Sequence, residues 1–138
     1  VQLTRLEGFI EKRIENFNFL LNFFKQYEDW FTLPVQNKNA KNAWLAFPLT
    51  VRSGAPFNRL DLQIYFERYN VQTRTIFSGN ILRQPGFKDI PHKKNPNGFP
   101  NSDDIMKGGI LIGCHHGMNN DQLDYVCDIF RDFVKKEL

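Results

Sequence analysis

The opening stretch constrains the fold most. Leu3, Leu6, Phe9, Ile10, Ile14, Phe17, Leu20, Leu21 and Phe24 recur at helical spacing, which predicts an amphipathic helix from the start of the chain to about Trp30. Glu7, Lys12, Glu15 and Lys25 fall off the apolar stripe. A stripe this broad and aromatic has to lie against a large apolar surface. Phe17, Phe23 and Phe24 read as packing residues within it. No N-cap residue precedes the pattern, and the first residue, Val1, already lies inside it. The chain is therefore expected to be a piece of a longer protein.

The rest alternates strand and helix signals. Thr32 to Asn42 reads as a connector, and Ala43 to Val51 as a buried strand in which Pro48 suggests an edge or a bulge. Ser53-Gly54-Ala55-Pro56 is a turn. In the helix expected over Phe57 to Tyr69, Leu60, Ile64 and Tyr65 share a face, with Leu62 and Phe66 beside it and Asn58 as the cap. A strand follows from Val71. Lys88 to Pro100 is a loop rich in proline and asparagine. Asn101 or Ser102 caps a short helix through Lys107, ended by Gly108-Gly109, and Ile110 to Cys114 is a short strand. Asn119, with Gln122 three residues on, makes a capping box for a last helix with Leu123, Val126, Cys127, Phe130 and Val134 on one face.

Composition removes several function classes. A net charge of +3 is too mild for a dedicated nucleic-acid binder, and the one basic cluster, Lys88 to Lys94, is interrupted by Asp89 and Pro91. An RNA-binding sheet would carry aromatics on adjacent strands, whereas Tyr69 and Phe77 stand alone. The two cysteines, Cys114 and Cys127, are too far apart for a metal knuckle and sit in apolar surroundings. No apolar run is long enough to span a membrane and no signal peptide is apparent, so a cytoplasmic setting is expected.

The chemistry-bearing residues gather between Asn70 and Phe87. Val71, Thr73, Thr75 and Phe77 alternate with Gln72, Arg74 and Ile76, then the pattern breaks at Ser78-Gly79-Asn80. Arg74 and Arg83 flank that break, and a guanidinium offers a fixed charge and a planar fork to carboxylate or phosphate. Further on, adjacent His115 and His116 point to opposite sides of a strand end, so they are not a metal pair.

Thr73-Arg74, Gly79-Asn80 and Arg83-Gln84-Pro85 resemble a segment of the DegT/DnrJ/EryC1/StrS family of vitamin-B6-dependent sugar aminotransferases and dehydrases. The likeness is strongest to the CDP-4-keto-6-deoxyglucose 3-dehydrases of lipopolysaccharide O-antigen synthesis. Three further blocks agree in order: QLTRLEGFIEKRIENFNFL, WLAFPLTVR and FPNSDDIMKGGILIGCHHGMNNDQLDYV. His116 departs from the family pattern, which often has proline there.

The resemblance implies an α+β fold. A small, three-stranded, mostly antiparallel sheet is packed with helices and preceded by a long helix, as in the C-terminal domain of a fold-type I vitamin-B6 enzyme. It implies a helix over 1–31 that leads out of an absent cofactor domain, and a small domain over 32–138. The parent would remove the 3-hydroxyl of a 4-keto-6-deoxy sugar with pyridoxal or pyridoxamine phosphate, some relatives adding a [2Fe-2S] cluster. The chain alone would be non-catalytic and hold no cofactor. Its partners would be the missing large domain, a second subunit and the nucleotide sugar. Arg74, Asn80, Arg83 and His115 are the residues expected to face substrate. The alternatives are a 4-keto sugar aminotransferase and a non-catalytic interaction domain.

Overall fold

The computed structural model describes residues 2–138. In chain order the elements are α1 (Leu6–Phe24), β1 (Phe31–Thr32), β2 (Ala46–Val51), α2 (Arg59–Arg68), β3 (Thr73–Thr75), α3 (Pro100–Gly108), β4 (Gly109–Gly113) and α4 (Asn120–Glu137). The strands form one antiparallel sheet in the order β1-β2-β4-β3. It has four strands where three were expected. The extra one, β1, pairs Phe31 with Val51 and Thr32 with Thr50, and two residues are too few to show a period. Because β1 reaches only Thr50, β2 is an edge at Pro48, where a missing N–H is tolerated.

One face of the sheet holds the core. Phe47, Leu49 and Val51 of β2 are buried and alternate with half-buried Ala46, Pro48 and Thr50; Ile110 and Ile112 of β4 are buried opposite them. Phe17, Leu20, Phe23 and Phe24 of α1, Leu62, Tyr65 and Phe66 of α2, and Leu123, Val126, Cys127, Phe130 and Phe133 of α4 join the same cluster. Phe130 is its hub, with ring contacts to Phe23, Phe24, Tyr27, Phe31, Phe57, Phe66 and Phe133. Most are edge-to-face, the arrangement the ring quadrupole favours.

The helices depart from the sequence reading in their bounds, and α2 also in its buried face. Helix α1 ends at Phe24 and tightens into a 3-10 turn over Lys25–Tyr27. Burial deepens along it: Leu3, just before the helix, is 84% exposed and Leu6 47%, Phe9, Ile10 and Ile14 are half-buried, and Phe17, Leu20 and Phe24 are fully buried. In α2 the buried side is Leu62, Tyr65 and Phe66, and Leu60 and Ile64 face solvent. Two apolar rows compete on that helix, and the row that reaches β3, β4 and α4 wins. Helix α3 starts at Pro100, one position before the expected cap, because proline's fixed φ suits the first helical turn. Both expected caps of α2 and α4 form as capping boxes. On α4 the buried face extends to Ile129 and Phe133.

Truncating the hub to Phe130→Ala is expected to cost about 3–5 kcal/mol in urea unfolding; a loss under about 1 kcal/mol would place the core elsewhere. Burial raises the Cys114 thiol to about 11 and the Cys127 thiol to about 12, so neither presents a thiolate at neutral pH. A thiol reagent at pH 8 should react with both only after unfolding.

Candidate functional site

Helix α2 ends where the site begins. Asn70 takes a left-handed conformation (φ 58°), which asparagine tolerates, and the Val71 N–H closes back on Phe66 O at 2.8 Å. The chain then turns into β3. Its register is locked by Glu67, whose Oε1 accepts from the Thr73 backbone N–H at 2.6 Å and the Thr73 hydroxyl at 2.8 Å. With Thr73 held inward, Arg74 pairs across from Leu111 and stands exposed on the uncovered face of the sheet.

Arg74 and His115 line one groove of about 610 Å³. Leu45, Ala46, Val71, Leu111, Met118 and Val126 supply apolar wall; Asn70, Gln72, Asn119, Asp121, Gln122 and Tyr125 supply polar groups. The Tyr125 hydroxyl is fixed by donating to Tyr69 O at 2.9 Å. Arg74 makes no ion pair among the described residues. A concave surface that mixes apolar walls with a few convergent polar groups and one unneutralised guanidinium is suited to an anionic ligand with a planar or sugar-like body. A larger cleft of about 770 Å³ lies at the far end of β2, around Arg52, Arg59 and Lys107. None of the residues expected to face substrate lines it.

Asn80 and Arg83 are placed differently. Asn80 is 5% exposed; its Oδ1 accepts from Leu82 N at 3.1 Å, and its Nδ2 donates to Asp103 Oδ1 at 2.7 Å. Arg83 grips Asp103 with both edges, Nε to Oδ1 at 3.0 Å and Nη2 to Oδ2 at 2.9 Å. These contacts staple the 78–84 loop to α3. Gly79 makes the approach possible: its φ is +59°, and a Cβ there would meet Met106 Cα at 2.6 Å. Between the two arginines, Phe77 is held at φ 43° with its ring 91% exposed.

His115 is exposed in the turn after β4, and His116 packs inward on Phe9 with ring centroids 4.0 Å apart. The two rings therefore part company, as their adjacency on a strand end implies. Sequence reasoning missed Asn70, Leu45 and Tyr125. Tyr125 carried a signal, lying off the apolar face of α4; Leu45, 77% exposed at the mouth of a strand, carried none. The groove lining contains no lysine that could hold an aldehyde cofactor covalently. Among the described residues no group of three or more His, Cys, Asp or Glu is placed to hold a metal, and no helix is long and apolar enough to cross a membrane.

Known proteins agree with this fold. The family model for the DegT/DnrJ/EryC1/StrS aminotransferase family matches residues 1–131, and the chain belongs to that family. It is 31% identical over 132 residues to the lipopolysaccharide biosynthesis protein RfbH of Salmonella typhimurium, covering 96% of this chain and 30% of that protein. It is 28% identical over 135 residues to dTDP-4-dehydro-2,6-dideoxy-D-glucose 3-dehydratase of Saccharopolyspora spinosa, covering 98% and 29%. The solved structure of E. coli GDP-4-keto-6-deoxy-D-mannose-3-dehydratase with bound hydrated PLP superposes with a TM-score of 0.79 at 23% identity, over 93% of this chain and 32% of that one. The fold is thus that of the C-terminal part of such an enzyme, and the chain spans about 30% of the length of the curated relatives it matches.

The clasp makes a pH prediction. Arg83, then Asn80, hold the Asp103 carboxyl down from 3.8 to about 2. A depressed folded pKa stabilises fully above the unfolded value and is lost as pH falls through the folded one. The amide signals of Leu82 and Arg83 should hold steady from pH 7 to about 3 and shift around a midpoint near pH 2. In Asp103→Asn that transition should vanish; its persistence would assign it to another group.

Proposed function

We propose that this chain is the C-terminal portion of a pyridoxamine-phosphate-dependent nucleotide-sugar 3-dehydrase, and that Arg74 and His115 form its wall of the substrate cleft. The observation that supports this reading is the groove itself: of four candidate side chains, the two left without an acidic partner open into one concavity. The names of the relatives support the reaction class, two of them being 3-dehydratases of nucleotide-linked deoxy sugars. Their nucleotides differ, so the nucleotide is chosen by residues other than the shared frame.

In this reading Arg74 meets the diphosphate or the sugar by charge-assisted hydrogen bonds. His115 lines the same groove as a second polar group. Arg83 and Asn80 shape the loop and are held on Asp103. The cofactor, held by the preceding domain of the full-length parent, supplies the electron sink. This chain's part is to orient substrate and exclude water. A [2Fe-2S] cluster in the parent would draw its ligands from that same preceding portion, as would the residue that separates a dehydrase from an aminotransferase. The parent is expected to be cytoplasmic and to complete the cleft with a second subunit.

The test is made on the full-length parent. With pyridoxamine phosphate and CDP-4-keto-6-deoxyglucose it should release the 3-hydroxyl, and with pyridoxal phosphate alone it should show no lysine Schiff-base band. A lysine Schiff-base band present with pyridoxal phosphate before any glutamate is added would make it an aminotransferase, and no response to either cofactor form would end the assignment. In that enzyme Arg74→Ala should lower kcat/KM about 10- to 100-fold, the worth of one charge-assisted hydrogen bond. Equal losses in Arg74→Ala and Arg83→Ala would remove the distinction drawn between them.

A further inference from the structure

Asn16 is out of character with its surroundings. It sits on α1 beside Phe17 and is 1% exposed. Its Nδ2 donates to His115 O at 2.8 Å and reaches Met118 O at 3.5 Å, across 99 and 102 residues of chain. The same His115 O accepts the Met118 N–H at 3.1 Å, closing the turn. The amide can point only this way, because turned over it would set its own oxygen against two carbonyl oxygens. Its Oδ1 is then left buried without a partner. An unpaired buried acceptor is destabilising, so the residue is tolerated for what its NH2 group does.

The turn that this NH2 group reaches also carries the His115 ring. Within the turn the Gly117 N–H donates to His115 Nδ1 at 3.2 Å. A backbone N–H can only donate, so Nδ1 must be bare, and the neutral imidazole carries its proton on Nε2. Helix α1 grips the turn a second time seven residues earlier, where Phe9 stacks on His116 at an interplanar angle of 23°. The two grips lie on one face of the helix.

We infer that Asn16 is the positioning residue of the groove: it holds the 115–118 turn so that His115 offers Nε2–H, a donor, to the ligand. The role of the groove rests on the function proposed above, but the state of the ring is a property of the chain alone. It is measured without ligand, so the two readings fail separately.

The experiment is 15N NMR of the imidazoles at pH 8.5, with amide exchange at Gly117, on this chain. In the unsubstituted protein the His115 nitrogen shifts should be those of a pure Nε2–H tautomer with a bare Nδ1. Asn16→Leu keeps the volume and removes the donor. It should fold, move the His115 shifts toward the mixed-tautomer average, and speed Gly117 exchange at least about tenfold, while His92 stays put. A merely structural Asn16 would change the melting temperature and leave the ring and Gly117 unmoved, which would overturn the inference. Asn16→Ala serves as the second variant should leucine fail to fold. A protonated Nδ1 in the unsubstituted chain would overturn the inference whatever the variants do.

Discussion

Phe24, Phe31, Phe47 and Phe130 meet beneath the sheet at centroid distances between 5.1 and 5.7 Å, and this contact fixes where each element can sit. It joins α1, β1, β2 and α4, elements from both ends of the sequence. Aromatic pairs of this kind are each worth about 0.5–1.5 kcal/mol beyond the area they bury. With three helices committed to one face, the other face of the sheet is left partly open. Arg74 and Leu111 stand on that uncovered side, and His115 leaves β4 at its rim. The groove is thus a consequence of one-sided packing.

The two arginines flanking the loop look alike in sequence and end in different roles. Asp103 decides between them. It lies at the start of α3, 20 residues from Arg83, and takes that guanidinium in a bidentate grip while Asn80 fills the remaining space. Arg74 is four residues from the break on a strand whose register Glu67 has locked, and no carboxylate pairs with it among the described residues. A sequence shows which arginines exist; the distribution of acids around them in space decides which is left without an ion pair.

The readable parts of the fold were those with a local physical signature. The cap at Asn58 and the capping box at Asn119 are written within four residues, and both formed, Asn58 as a full box with Asp61. The α1 stripe is periodic, and its burial from Phe17 onward follows from it. What stayed hidden depends on long-range pairing. Strand β1 exists because Phe31 meets Val51, 20 residues on. The choice between the Leu60–Ile64 row and the Leu62–Phe66 row is made by β3, β4 and α4. Asn16 has no local signature that sets it apart, and only the return of the chain at His115 gives it a task. The exposed Leu3 and Leu6 show the same limit, since the apolar period carries no information about how far the covering surface extends within this chain.

The most direct measurement is the structure of the full-length parent with its nucleotide sugar bound. The account predicts ligand oxygen atoms within hydrogen-bond distance of Arg74 and of His115 Nε2, with Arg83 still held on Asp103. A ligand seated on Arg83 with the Asp103 grip broken, or bound away from the groove altogether, would contradict it.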